Sequence, residues 1–306
     1  MILERIRNLI KNPKREKSFA EYISQSDGMD VECSLDAFSH SSRCERLLLN
    51  RYGTSEIEDL LRQSGFTEGL TRLGFPRLDR NITHDDMRIH TLRIYDRLQE
   101  PDRLLVDIRL SEKSLSGGVL KGYTSPPRKT FDLLSLEWIS LQNPRGKFTR
   151  KRPQLPGQLR PGLSLLRETM EFLRLLGACL SRDGVMTVAD HYHAALMYSR
   201  YCSFTDPLHE GLLRAALRDL AGYSLPDISW GFLTQTVVNR STGKPQEFSP
   251  SPQIMPISEE MKEYFNSRDY RQRVKDVAER AGFSLDGETM KKRRKALLAS
   301  KNISAC

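Results

Sequence analysis

Apolar residues along this chain recur first at every second position and then at every third or fourth, and the changes of spacing mark out its elements. Arg88 to Tyr95 alternates polar and apolar residues, as does Leu105 to Leu110, with a short polar loop containing Pro101-Asp102 between them. Period-two alternation across such a loop predicts an antiparallel hairpin. The apolar run Leu133 to Leu141 predicts a buried strand, and a loop rich in Pro, Gly and basic residues follows it. After Arg160-Pro161-Gly162-Leu163-Ser164, helical apolar spacing continues for roughly 16 residues. Val185-Met186-Thr187-Val188 then reads as a short strand leading into a helix over His191 to Tyr198. Strand, glycine turn, helix, strand and helix make a βαβα unit.

The flanking sequence is more polar. Residues 1–35 carry a weak amphipathic helix and a polar stretch. Arg43–Leu49 and Ser55–Gln63 have helical spacing, with Thr54 or Ser55 as N-cap and Gly65 as stop. Ser116 to Arg128 is rich in Gly, Pro and Ser and reads as a loop. Asp206-Pro207 opens a helix carrying Leu212, Leu213, Ala216, Leu217 and Leu220, and the acids Asp206 and Glu210 suit its N-terminal dipole. Ile228–Val238 is a strand by composition, and Ser241-Thr242-Gly243 makes a turn before a proline-rich return. Glu259–Ala281 reads as one charged helix ended by Gly282, and a basic helix runs from Gly287 to Ser300. These elements predict an α/β (α+β) protein with a mixed, mainly antiparallel sheet flanked by helices. Its expected parts are an extension over 1–80, a core over 81–256 and a basic helical tail over 257–306.

Composition narrows the function classes. At 306 residues the chain is long enough for a substantial core. No run of 18 uncharged apolar residues is present, so no transmembrane helix is expected. The first ten residues alternate charges and lack the apolar core of a secretory signal. Five widely spaced cysteines (33, 44, 179, 202 and 306) form no CxxC pair, which argues against a disulfide framework and fits a reducing cytoplasm. The net charge of +9 concentrates at Lys11–Lys17, Arg145–Arg160 and Lys291–Lys301. Aromatic residues are not interleaved with these runs as a single-strand stacking platform requires. The central run serves an anionic small molecule at least as well as a nucleic acid.

Local motifs leave several readings open. A glycine turn that opens a helix presents backbone N–H groups to a phosphate, but Pro161-Gly162 is also an ordinary helix start. Asp190, His191 and His193 have the chemistry of metal ligands. On a helix, however, i,i+2 spacing sets the two imidazoles about 200° apart, so no metal site is expected. Ser164 lacks the Gly-x-Ser-x-Gly elbow of a hydrolase nucleophile, and Cys179 reads as a packing residue. Lys291–Lys295 is a solvated helix face or a contact for a polyanion.

Over residues 88–204 the order of elements resembles the GNAT acyltransferase superfamily, whose members use acyl-CoA. In that family a Gln/Arg-x-x-Gly-x-Gly/Ala turn follows the central strand, and the last helix reads Asn-x-x-Ala-x-x-x-Tyr-x-x-x-Gly-Phe. Here Ala194 and Tyr198 are in register, His191 stands where Asn is usual, and Phe204 comes one residue late. Gly162 and Ser164 occupy the turn's two small positions. Leu159 stands where Gln or Arg is expected, with Gln158 displaced by one; Gln154 to Leu159 offers a second register. Pro161 removes one N–H donor, and Cys202-Ser203 replaces the glycine.

The resemblance implies acetyl-CoA or another acyl-CoA as co-substrate and no metal. Gln158, Arg160, Gly162, Leu163 and Ser164 would hold the pyrophosphate, with Lys151 or Arg152 adding charge. Ser140 and Leu141 on the central strand would pair with the pantetheine arm. Tyr198 would protonate the departing thiolate, and Glu137 would be the base that deprotonates an amine. The acceptor would be an amine-bearing small molecule or protein. The competing reading is a non-catalytic scaffold whose basic segments, Lys291–Lys295 among them, contact nucleic acid or an acidic partner.

Overall fold

The computed structural model describes residues 46–84, 88–121 and 129–300. The helix expected within 1–35, the basic run Lys11–Lys17, residues 122–128 of the loop, and Cys33, Cys44 and Cys306 lie outside them. Two helices, α1 (Thr54–Gln63) and α2 (Phe66–Arg72), precede four successive strands: β1 (Leu78–His84), β2 (His90–Asp96), β3 (Leu104–Ser116) and β4 (Thr130–Leu141). Then come α3 (Leu166–Cys179), β5 (Gly184–Val188), α4 (Tyr192–Tyr198), β6 (Ser203–Phe204), α5 (Pro207–Asp219) and α6 (Leu225–Leu233). The remainder is β7 (Val237–Asn239), β8 (Pro252–Pro256), α7 (Glu259–Asn266), α8 (Arg268–Arg280), β9 (Phe283–Leu285) and α9 (Gly287–Ala299). The protein is α+β, with a seven-stranded sheet in the order β1-β2-β3-β4-β5-β8-β6 and a small β7-β9 sheet.

Every pairing in the large sheet is antiparallel except β4 with β5. A parallel pair requires a long crossover, supplied here by the loop after β4 and by α3. The centre of the sheet is buried on both faces. Successive residues of β4 and β5 point to opposite sides, so Leu134 and Val185 join one apolar cluster with Phe172, Leu173 and Leu176 of α3. Leu133 and Met186 join the other, with Met261 and Tyr264 of α7 and Tyr270 and Val274 of α8.

The hairpin expected over 88–110 is β2–β3, and the βαβα unit is β4-α3-β5-α4. Other expectations need correction. The strand read at Ile228–Val238 is mostly α6: Ser224 accepts a hydrogen bond from Asp227 N and Pro226 sits in the first turn, so the apolar run that follows is launched as a helix. Only Val237–Asn239 is extended. The single helix read at Glu259–Ala281 is broken at Ser267, which is extended and whose side chain accepts from Tyr270 N, capping a second helix. Gly53, not Thr54 or Ser55, caps α1, with Glu56 accepting from its N–H. In the Arg43–Leu49 helix expectation, the described residues turn back instead, pairing Leu48 with Tyr52. The proline-rich return contains β8, with Pro252 and Pro256 at its two ends.

Candidate functional site

β4 and β5 pair only from Leu133↔Gly184 to Leu136↔Thr187. Beyond Leu136, β4 runs on to Leu141 alongside β3 alone among the strands described. A cavity of about 570 Å³ opens there. Its walls come from Leu136–Gln142 of β4, from Lys151–Leu166, from Thr187–His191 after β5, and from the inward face of α4.

The loop from Asn143 to Pro161 forms a strap over this cavity. Its neck is closed by the Gln142↔Gly162 bridge, by Asn143 N donating to Pro161 O at 2.7 Å, and by Arg160 Nη1 donating to Pro144 O at 3.0 Å. Its tip is a turn, Leu155-Pro156-Gly157-Gln158, in which Gln158 N donates to Leu155 O. Proline second and a glycine at φ 74° third are what a type II turn demands. Trp230, buried in α6, donates from Nε1 to Gln154 O at 2.9 Å and ties the strap down.

The turn into α3 is held from both sides. Leu163 and Leu165 are buried in the core. Arg152 Nη2 donates to Gly162 O at 3.0 Å and to Ser164 Oγ at 2.6 Å, while Ser164 adopts φ 59°. A guanidinium therefore sits beside the N-terminus of a 14-residue helix, where the macrodipole and the first turn's N–H groups already favour an anion. Lys151 and Arg160 line the same cavity.

The nine residues to which the resemblance gives a catalytic or cofactor-binding place all line this cavity: Glu137, Ser140, Leu141, Gln158, Arg160, Gly162, Leu163, Ser164 and Tyr198. Their surroundings differ. Leu163 directs its side chain into the core, and Gln158 uses its own side chain within the strap turn, accepting from Leu155 N at 3.3 Å. Tyr198 is buried. Burial first, then Cys202 and Asp190, push its pKa well above the ordinary phenol value.

Glu137 is tied more firmly. Lys113 Nζ lies 2.6 Å from its carboxylate, and Ser111 donates a hydrogen bond to it. Burial alone would raise its pKa, but the bonds from Lys113 and Ser111 outweigh that and hold the carboxyl below its usual range.

The histidines depart from the expectation. His191 is not a helical residue but the extended N-cap of α4, at φ −129° and ψ 148°. The helical rotation of about 200° therefore does not apply, and the His191 and His193 rings stack at 5.5 Å with 18° between their planes. His193 is buried, with Nδ1 2.8 Å from Ser229 Oγ, and burial together with His191 holds its pKa down to about 3. Both rings line the cavity. Among the described residues no group of three or more His, Cys, Asp or Glu is arranged to hold a metal ion. None of their helices is long and apolar enough to cross a membrane.

No protein-family model and no curated protein matches this chain. A solved structure described as the crystal structure of a bacterial toxin is similar at 13% identity and a TM-score of 0.26, covering 59% of this chain and 74% of that one. A likeness this slight decides nothing about activity.

Proposed function

We propose that this cavity binds an acyl-CoA thioester and transfers its acyl group directly to an amine, in the manner of the GNAT superfamily. The observation that carries the reading is the separation of the parallel strands β4 and β5 after Leu136 and Thr187, with a cavity between them that reaches the N-terminus of α3. The chemistry of the walls fits such a ligand. Arg152, Lys151 and Arg160 offer charge for phosphates at the helix start. The stretch of β4 past Leu136, free of β5, offers extended backbone to a pantetheine arm. Ser140 and Leu141 lie on that stretch.

In this reading Tyr198 gives its proton to the departing thiolate. A phenol whose pKa is raised by burial stays protonated at neutral pH, as a donor must. Glu137, already neutralised by Lys113, contributes to the wall's electrostatics more than to proton abstraction.

Assay of thiol release from acetyl-CoA with a panel of primary amines tests the reading. Tyr198→Phe is expected to lower kcat by about 100-fold or more while leaving acetyl-CoA affinity unchanged. Glu137→Gln is expected to change kcat by less than about tenfold, in line with a paired carboxylate. Loss of acetyl-CoA binding in Tyr198→Phe without an effect on kcat would count against the donor role.

A further inference from the structure

The strap carries positive charge well beyond the cavity it covers. From Asn143 to Arg167 the chain has seven Arg and Lys residues and no Asp or Glu. Lys147 and Arg150 are exposed and lie outside the cavity lining. Among the described residues, neither they nor Lys151, Arg152 and Arg160 form an ion pair. The neighbouring guanidiniums have to share their acids. Arg72 and Arg167 lie 3.7 and 3.0 Å from the one carboxylate of Glu168, and Arg97 and Arg145 both pair with Asp96. Both carboxylates are buried, whereas all four guanidinium side chains are more than half exposed. Nine cationic side chains thus meet two acids.

Hydrogen bonds join these groups into one surface. Arg145 donates to Gly74 O at 3.0 Å, two residues beyond Arg72. Arg160 donates to Pro144 O, next to Arg145, and Arg152 donates to Ser164 Oγ, three residues before Arg167. Acids close to it along the chain are few. Glu68 lies one turn before Arg72, Glu100 is paired with Arg103, and Asp190 stands on the cavity wall. We propose that this surface binds the phosphate backbone of a single-stranded nucleic acid, an inference independent of the acyl-transfer reading. Uncompensated cations held together by a fold suit a polyphosphate strand, whose condensed counterions are released on contact. Seven of the nine are arginines, whose planar guanidinium matches two phosphate oxygens at once.

The fold also supplies the aromatic group that the basic run lacks in sequence. Trp138 of β4 is 41% exposed and shares the cavity wall with Lys151 and Arg152, while Arg109 lies over its ring. An exposed indole beside a cationic surface can stack an unpaired base whatever its sequence. An acidic protein is the poorer fit. Its interface needs an apolar core, and the large apolar side chains exposed beside these cations are Leu73 and Leu159.

The test is fluorescence anisotropy of the full chain with labelled single strands of RNA and of DNA, about 20 nucleotides long and of mixed sequence. Affinity is expected to fall by about 100-fold or more between 50 and 200 mM salt, as about six phosphate contacts require. Lys147→Gln with Arg150→Gln, both on the exposed strap, is expected to weaken binding by about tenfold and to reduce the salt slope by about 1.4. Trp138→Ala is expected to cost about fivefold or more on single strands, with the salt slope and duplex affinity unchanged. Either strand behaving in this way supports the proposal, and the tighter of the two identifies the source of the phosphates. Salt-insensitive binding, or a double variant that binds like the wild type, overturns it. Displacement of the strand by polyglutamate at equal charge concentration assigns the surface to acidic protein and also overturns it. Each of these outcomes leaves the acyl-transfer reading to its own assay.

Discussion

At the scale of single residues, neighbours decide what each titratable group can do. Glu137 and His193 look similarly versatile in the sequence, yet each is fixed in one state by its surroundings. His193 has a folded pKa of about 3 against an ordinary value of 6.5. Between those values the unfolded chain binds a proton that the folded chain does not, so stability falls as pH is lowered through 6.5. Urea unfolding of the wild type is expected to lose about 2 kcal/mol more between pH 7 and pH 5 than unfolding of His193→Asn. Equal losses in the two proteins would mean that His193 is not held neutral. The same two histidines mark where residue patterns fail. Spacing predicted rings on opposite sides of a helix, but His191 lies one residue outside it, and that single backbone conformation brings the rings together.

Among the elements, helices with strong caps impose themselves on ambiguous apolar sequence. Ser224 with Pro226 turns Ile228 to Leu233 into a helix, although the residues read equally well as a strand. Ser267 splits a run whose charge pattern is continuous. β8 was hidden because prolines mark loops in most contexts; here they occupy the strand's first and last residues and leave its middle, Gln253–Met255, between β5 and β6. The elements also meet closely. At Gly211 on α5, an added Cβ would lie 2.6 Å from Val277 Cβ and 2.9 Å from Val274 O on α8. Gly211→Ala is therefore expected to force the two helices apart and to destabilise by about 1–3 kcal/mol in chemical denaturation. A variant as stable as the wild type would contradict that close packing.

For the molecule as a whole, the central β4-α3-β5-α4 unit was legible because its apolar spacing changes sharply at each boundary. The edges were not. β1 buries little besides Ile82, β6 has two residues, and such strands leave almost no periodic signal. That nine residues chosen along the sequence line one cavity follows from the parallel pairing of β4 and β5, which places the turn before α3 and the start of α4 on the same rim. The strap over that rim was readable only as a basic loop. Its tie to Trp230 spans 76 positions and depends on α6, the helix the sequence disguised as a strand.

Calorimetry of acetyl-CoA binding to the full chain, paired with thermal unfolding, tests the central claim most directly. The predicted result is saturable one-to-one binding that stabilises the fold by about 2.7 kcal/mol at 100 times Kd. Arg152→Ala, which removes the guanidinium bonded to Gly162 and Ser164, should weaken binding by about tenfold or more. No heat and no thermal stabilisation at millimolar acetyl-CoA would contradict the assignment of this cavity to an acyl-CoA.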